Sequence, residues 1–453
     1  MKHNGLSSGM LRAFAVLAGS AIVCGQAFAA TQRFADLLKF DVSPGGWFPY
    51  AGLITDGKNL YGTTTSAAPA DTGIIFELTP PSSGSGPWTE RVLYTFKGGS
   101  DGYNPMGSLV RDSKGNLYGT TQLGGAVNAN CFSGCGTVFE LSPPTQGDGS
   151  WTEATLYQFQ GGTDGADSTS TLIFDAKGNL YGNTPDGGPE SNCCGTVFVL
   201  SPSSIPGGAW THAVLYDFTG GDGGRVPLGG LYLDPQGNLY GTTDMDGLHS
   251  SGIVYQLSPP SSGGSWTETV LYAFTGGIDG GFPDAGVIEH NGVLYGTTSY
   301  GGDISGCGIS GFGQGCGVVF ELTRAKAGAA YTVLYTFKGL TDGDTPSSGG
   351  LAVDANGNLY GSTSYGGDNN NKTCQGSYYD GCGVVFKLSP PQGGGAWIET
   401  ILHTFEATDG WAPNGALLLS HSALWGMTNV GGDFSPTGCP DNGCGVVFAI
   451  AAK

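Results

Sequence analysis

Gly115-Asn116-Leu117-Tyr118-Gly119-Thr120-Thr121 returns seven times along the chain with small changes. Its aromatic falls at Tyr61, Tyr118, Tyr181, Tyr240, Tyr295, Tyr360 and Trp425, at intervals of 55 to 65 residues. Repetition at a fixed period is the signature of an architecture built from one supersecondary unit. Two further strings keep step with it. Gly-x-Val-Phe-x-Leu centres on Phe76, Phe139, Phe198, Tyr255, Phe320, Phe386 and Phe448, and Leu-Tyr-x-Phe ends at Phe40, Phe96, Phe159, Phe218, Phe274, Phe337 and Phe405.

Each unit holds four strand candidates. A short apolar strand precedes a turn such as Asp175-Ala-Lys-Gly-Asn179, where Gly178 can take the left-handed position. The Asn-Leu-Tyr-Gly, Val-Phe and Leu-Tyr-x-Phe strands follow. Both alternating faces of these strands are apolar, as a sheet needs when it is packed between two others. Seven four-stranded units predict an all-β chain folded as a seven-bladed β-propeller.

An open solenoid is the rival architecture. The chain ends speak against it, because the sequence opens on a lone fourth-strand motif, Phe34–Phe40, and closes on a unit that lacks one. The N-terminal strand is expected to complete the last blade and remove its free edge. Placing Leu-Tyr-x-Phe outermost in each blade is the preferred order.

Composition agrees. Glycine supplies 84 of 453 residues, without the three-residue period of collagen, while 39% hydrophobic residues suffice for a core. Residues 1–29 have the form of a signal peptide: Lys2 and Arg12, an apolar run over 11–24, and Ala27-Phe-Ala29 as a cleavage pattern. The remaining 30–453 form one domain, secreted to the extracellular space or periplasm, with no membrane insertion after cleavage. Removing two basic residues takes the formal charge from -20 to -22. That balance argues against nucleic acid as a partner. An extracellular glycan or protein is the expected partner, and the chain is expected to be a monomer.

Ten cysteines follow residue 29, in five local pairs: Cys131-Cys135, Cys193-Cys194, Cys307-Cys316, Cys374-Cys382 and Cys439-Cys444. In an exported chain they predict five short-range disulfides, the adjacent pair being the least secure. Zinc is the weaker reading, since no pair has a second pair or a His at ligand spacing.

The pairs fall in one class of loop. From the Thr ending the second strand to the Gly opening the third, the gaps are 9, 15, 11, 9, 19, 20 and 17 residues, and the two shortest loops carry no Cys. A cross-link offsets the entropy of ordering a long glycine-rich loop. The face holding these loops is the natural place for binding. Asp303, Asp368 and Asp433 in the three longest loops are ligand-binding candidates, as are Trp47 and Trp411 in the connections between blades. Those connections also carry Asp101, Asp164, Asp222, Asp279, Asp342 and Asp409, each before Gly. They are candidates for a ring of carboxylates near the axis, although a turn needed once per blade explains them more simply.

No cofactor is required by the pattern, and calcium is the one left open. The histidines at 212, 249, 290, 403 and 421 share no repeat position, so no catalytic set is assigned. A polysaccharide hydrolase or lyase using an Asp/Glu pair at the channel mouth is the alternative to a binding module. Assembly of an envelope complex is a third reading.

The repeats, in Gly-Asn-Leu-Tyr-Gly-Thr-Thr, Gly-Thr-Val-Phe-Glu-Leu and Leu-Tyr-x-Phe-x-Gly-Gly-x-Asp-Gly, resemble those of the Gloeobacter–Verrucomicrobia (GloVer) tandem-repeat family over residues 33–450. The resemblance implies an exported bacterial repeat protein and brings no activity with it. The first unit, with Ser66–Thr72 in place of the Gly-Gly loop, departs furthest.

Overall fold

The seven strings become seven small antiparallel sheets arranged in a ring. The computed structural model describes residues 34–452, apart from 42–44, 69–70, 84–85, 146–148, 190–192, 206, 304–306, 308–314, 326–327, 340, 368–373, 375–380, 435–438 and 440–442. The segment read as a signal peptide lies outside the described residues. In the second blade the strands are Val110–Arg111, Leu117–Thr121, Thr137–Ser142 and Thr152–Gln158, hydrogen-bonded in that order. Five sheets follow this plan on the four strands expected. In the sixth and seventh the first strand is split, so Asp344–Pro346 and Ala352–Val353 both pair with Leu359–Tyr365, and Trp411–Pro413 and Leu418–Ser420 both pair with Ala423–Val430.

Ring closure follows the reading of the termini. Phe34–Lys39 pairs antiparallel with Val446–Ala451 as the fourth strand of the last blade. The residues at the start of each first strand, such as Gly52, Gly107, Gly229 and Gly415, line the central channel. The first strand is therefore innermost and Leu-Tyr-x-Phe outermost. Small residues are required there: a Cβ on Gly286 would lie 2.0 Å from the Gly230 carbonyl, and one on Gly415 2.1 Å from that of Ala51.

Inside each blade the repeated Tyr-Gly pair has a packing cause. Gly182 lies opposite Phe198 on the neighbouring strand, and a Cβ at 182 would meet the Phe198 ring at 2.7 Å and Leu172 at 2.8 Å. The ring presses on bare backbone, and both aromatic and leucine are fully buried. Substituting Gly182→Ala is expected to lower stability by about 1–3 kcal/mol through overpacking. Urea unfolding checks this, and an unchanged midpoint would reject the close-contact account.

Between blades one backbone bond recurs seven times. Phe48, Asn104, Asp167, Val226, Phe282, Thr345 and Ala412 all take φ between 53° and 61°, unfavourable for any of these residues and worst for the β-branched Val and Thr. Each donates its N–H to a carbonyl of the preceding blade: Cys444, Thr72, Cys135, Cys194, Ser251, Cys316 and Cys382 respectively, at 2.9 to 3.2 Å. Five of those seven acceptors are the second cysteine of a pair. All five pairs are disulfide-bonded, the adjacent Cys193–Cys194 included. The cross-links thus hold the carbonyls on which the next blade docks, beyond bracing their own loops. Among the described residues no helix is long and apolar enough to cross a membrane. The five disulfides fit an extracellular or periplasmic protein.

Candidate functional site

The six repeated aspartates do not form an axial ring. Asp101 accepts hydrogen bonds from the Tyr94 hydroxyl at 2.8 Å and the Lys97 N–H at 2.9 Å. Asp164 takes Tyr157 at 2.6 Å and the Gln160 N–H, Asp279 takes Tyr272 at 2.9 Å and the Thr275 N–H, and Asp342 takes Tyr335 at 2.9 Å and the Lys338 N–H. Asp409 pairs with His403 at 3.0 Å and the Glu406 N–H. Those partners stand on the outermost strand or just after it, so the carboxylates close corners at the outer seams. Asp222 is exposed, and none of the six lines the channel. Five of the six thus close turns at the blade corners, the role the simpler reading gives them.

The loop candidates separate. Asp303 and Asp433 line neither of the two cavities described below, and Asp368 lies outside the described residues. Trp47 packs against the core cluster containing Phe40, Phe76 and Trp425. Trp411 does line a cavity. Among the described residues no three His, Cys, Asp or Glu side chains gather as a metal site.

A site is built instead at the channel mouth on the loop face. Each connection ends in one residue set at the entrance to the first strand: Tyr50, Met106, Thr169, Leu228, Asp284, Ser348 and Asn414. The backbone there is repeated, and the side chains are not. They crown a channel of about 460 Å³. Four of them, Tyr50, Asp284, Ser348 and Asn414, also wall a vestibule of about 450 Å³ under blades five to seven, with Tyr300, Tyr365, Trp411 and Asn429. Two polar atoms among the vestibule residues, Trp411 Nε1 and Asn429 Oδ1, are buried without a hydrogen-bond partner.

Asp284 is hydrogen-bonded to Asp244, which follows the second strand of blade four, and accepts the Ser299 hydroxyl at 2.6 Å. Burial and the charge of Asp284 push the Asp244 carboxyl up to about 9, against the opposing pull of Arg225. Burial raises Asp284 as well, although hydrogen bonds from Asp244 and Ser299 favour its ionised form. The pair therefore holds a proton between its two carboxyls at neutral pH, in the manner of close carboxylates that cannot both ionise. Across the mouth, burial raises the Tyr50 phenol, which hydrogen-bonds Ser348 and feels the charge of Asp284.

Other carboxyls share this acid-favouring environment. Burial, helped by Asp41, raises Glu90 to about 7, and burial with Asp342 raises Glu399 to about 7 against the Tyr335 hydrogen bond. These groups, like Asp244, stabilise the fold fully below the ordinary carboxyl range, and that contribution is lost as pH rises through about 7 to 9. The turn aspartates act oppositely. Burial raises Asp175, but hydrogen bonds from Asn179 and the Lys177 N–H outweigh it and hold the carboxyl low, so its contribution is lost as pH falls below about 4. The thermal midpoint is therefore expected to be highest near pH 5 and to fall by roughly 5 °C or more by pH 9. A scanning-calorimetry series checks this, and a maximum above pH 8 would contradict it.

The fold and mouth together define a β-propeller with an uneven, polar-aromatic opening on one face. The chain belongs to the Gloeobacter/Verrucomicrobia repeat family, whose model matches residues 19–148, 133–310 and 304–453. No curated protein matches it. Similar solved structures include a Bacteroides uniformis protein assigned as a 6-phosphogluconolactonase (14% identity, TM-score 0.49, covering 83% of this chain and 88% of that one). A fungal alcohol oxidase in complex with copper is similar at 12% identity and TM-score 0.49, over 92% and 76% of the two chains. A Streptococcus pneumoniae sialidase is similar at 12% and 0.41, over 93% and 71%.

Proposed function

We propose that this propeller is a binding module that takes an extracellular polysaccharide at the channel mouth. The observation that carries the reading is the vestibule itself, where the rings of Tyr50, Tyr300, Tyr365 and Trp411 stand beside the amide and hydroxyl groups of Asn414, Ser348 and Ser364. A sugar presents apolar faces to rings and hydroxyls to polar donors and acceptors. Two of the vestibule's lining residues, Thr345 and Ala412, are held through their backbone N–H groups by the carbonyls of disulfide-bonded Cys316 and Cys382.

Cleavage is the second reading, and the Asp244–Asp284 pair is the feature that favours it. The two carboxyls are hydrogen-bonded to each other, whereas retaining glycosidases keep their carboxyls about 5–5.5 Å apart and inverting ones wider. Direct contact leaves no room for a glycosidic oxygen between them, which supports binding over hydrolysis. A glycan array run with and without calcium, paired with a release assay on the same polysaccharides, tests both. Retention without release is expected, release would move the protein to the enzymes, and neither would overturn the proposal.

A further inference from the structure

The vestibule sets a carboxylate among its aromatic rings, which a neutral sugar alone does not call for. Four aromatic side chains, Tyr50, Tyr300, Tyr365 and Trp411, line it, each only partly buried. One carboxylate, Asp284, stands in the same wall, backed by Asp244. Aromatic faces attract cations through their quadrupole, and a carboxylate among them adds a full charge. No Lys or Arg lines either cavity, and the chain carries a formal charge of -20.

We propose that the vestibule binds an organic ammonium group, held against the rings of Tyr300, Tyr365 and Trp411 with its charge on Asp284. The inference rests on the mouth being the binding site and names the chemistry of what enters. The carboxylate pair holds one proton at rest. When the cation arrives, the O–H bond within the Asp244–Asp284 pair breaks and that proton leaves to solvent, so a cation replaces a proton and charge balances. The groups facing the pair are Arg225, which opposes a cation, Tyr50, which stays neutral, and Ser299, which donates to Asp284. Binding of a permanently charged ammonium such as choline accordingly strengthens as pH rises from 6 to 9, whereas an amino sugar, which loses its own ammonium proton over the same range, does not follow that rise.

Isothermal titration with four probes tests this: a glucosamine tetramer, its N-acetylated counterpart, choline, and glucose tetramers as the neutral control. The glucosamine tetramer is expected to bind at least about tenfold more tightly than the acetylated one. The heat should vary with buffer ionisation, reporting a released proton. Asp284→Asn should abolish both the preference and the proton release, and Tyr365→Leu should weaken binding about tenfold with the proton release retained. Choline binding alongside glucosamine would mean the ammonium group suffices, and glucosamine binding alone would mean an amino sugar is required; either supports the proposal. Equal affinity for acetylated and free amines, or binding without proton release, overturns it. Neutral tetramers bound at the mouth without any preference for ammonium would reject this inference while leaving the polysaccharide reading in place.

Discussion

Replacing Leu37 and Phe40 together with Asp is expected to abolish cooperative unfolding of the ring. Phe40 is 1% exposed and Leu37 9%. Their strand completes the last blade and touches both of that blade's neighbours. Phe34 stacks on His403 of blade six at 3.8 Å, and the Phe40 ring meets Phe76 of blade one at 5.3 Å. Losing two buried apolar side chains removes about 2–3 kcal/mol each, and an unpaired carboxylate in their place adds at least as much again. The sum of roughly 8 kcal/mol is comparable to the whole stability of an ordinary domain. Thermal unfolding followed by near-ultraviolet circular dichroism should show no sharp transition at 37 °C or above. A midpoint within about 3 °C of the wild type would mean that the ring closes without this strand.

Reduction of the disulfides should loosen the seams unevenly. Cys307–Cys316 and Cys374–Cys382 close loops with sequence separations of 9 and 8, each worth about 2.5 kcal/mol by chain entropy. Their second cysteines, with Cys444, offer the carbonyls that receive the N–H groups of Thr345, Ala412 and Phe48. Asn104 and Phe282 dock instead on Thr72 and Ser251, which belong to no disulfide. After reduction, hydrogen exchange at Thr345, Ala412 and Phe48 is expected to accelerate at least tenfold, while Asn104 and Phe282 change little. The same acceleration at all five amides would show that the cross-links stabilise the ring globally and have no special hold on the seams.

Most of the frame was legible in the residues because every blade makes the same demands. Gly182 must sit under Phe198, and that need leaves a glycine in place seven times; Asp175 must close its turn onto Asn179 and Tyr181, and that need leaves an aspartate in five of the seven blades. Reading by recurrence finds scaffold for that reason. It also promoted Asp101 and its equivalents, four of which recur because the corner needs a carboxylate for the outer-strand tyrosine. The mouth is hidden by the same logic: Tyr50, Asp284, Ser348 and Asn414 occupy almost the same place in four blades and share no chemistry. The signal was the residue that follows Pro49, Pro283 and Pro413, variable inside an otherwise constant string. Asp244 was harder still, since its role depends on a neighbour one blade away. Trp411 was reached from sequence only because a tryptophan outside the strand markers is rare here.

The measurement closest to the central claim is an affinity titration of the best-retained polysaccharide from the array against three proteins: wild type, Trp411→Ala and Asp433→Asn. Trp411 lines the vestibule, whereas Asp433 stands on the loop outside it. Loss of one stacking indole is expected to weaken binding at least about tenfold. The Asp433 variant should bind within twofold of the wild type. Wild-type affinity in Trp411→Ala, with loss in Asp433→Asn, would move the site from the mouth to the loop rim and contradict the account.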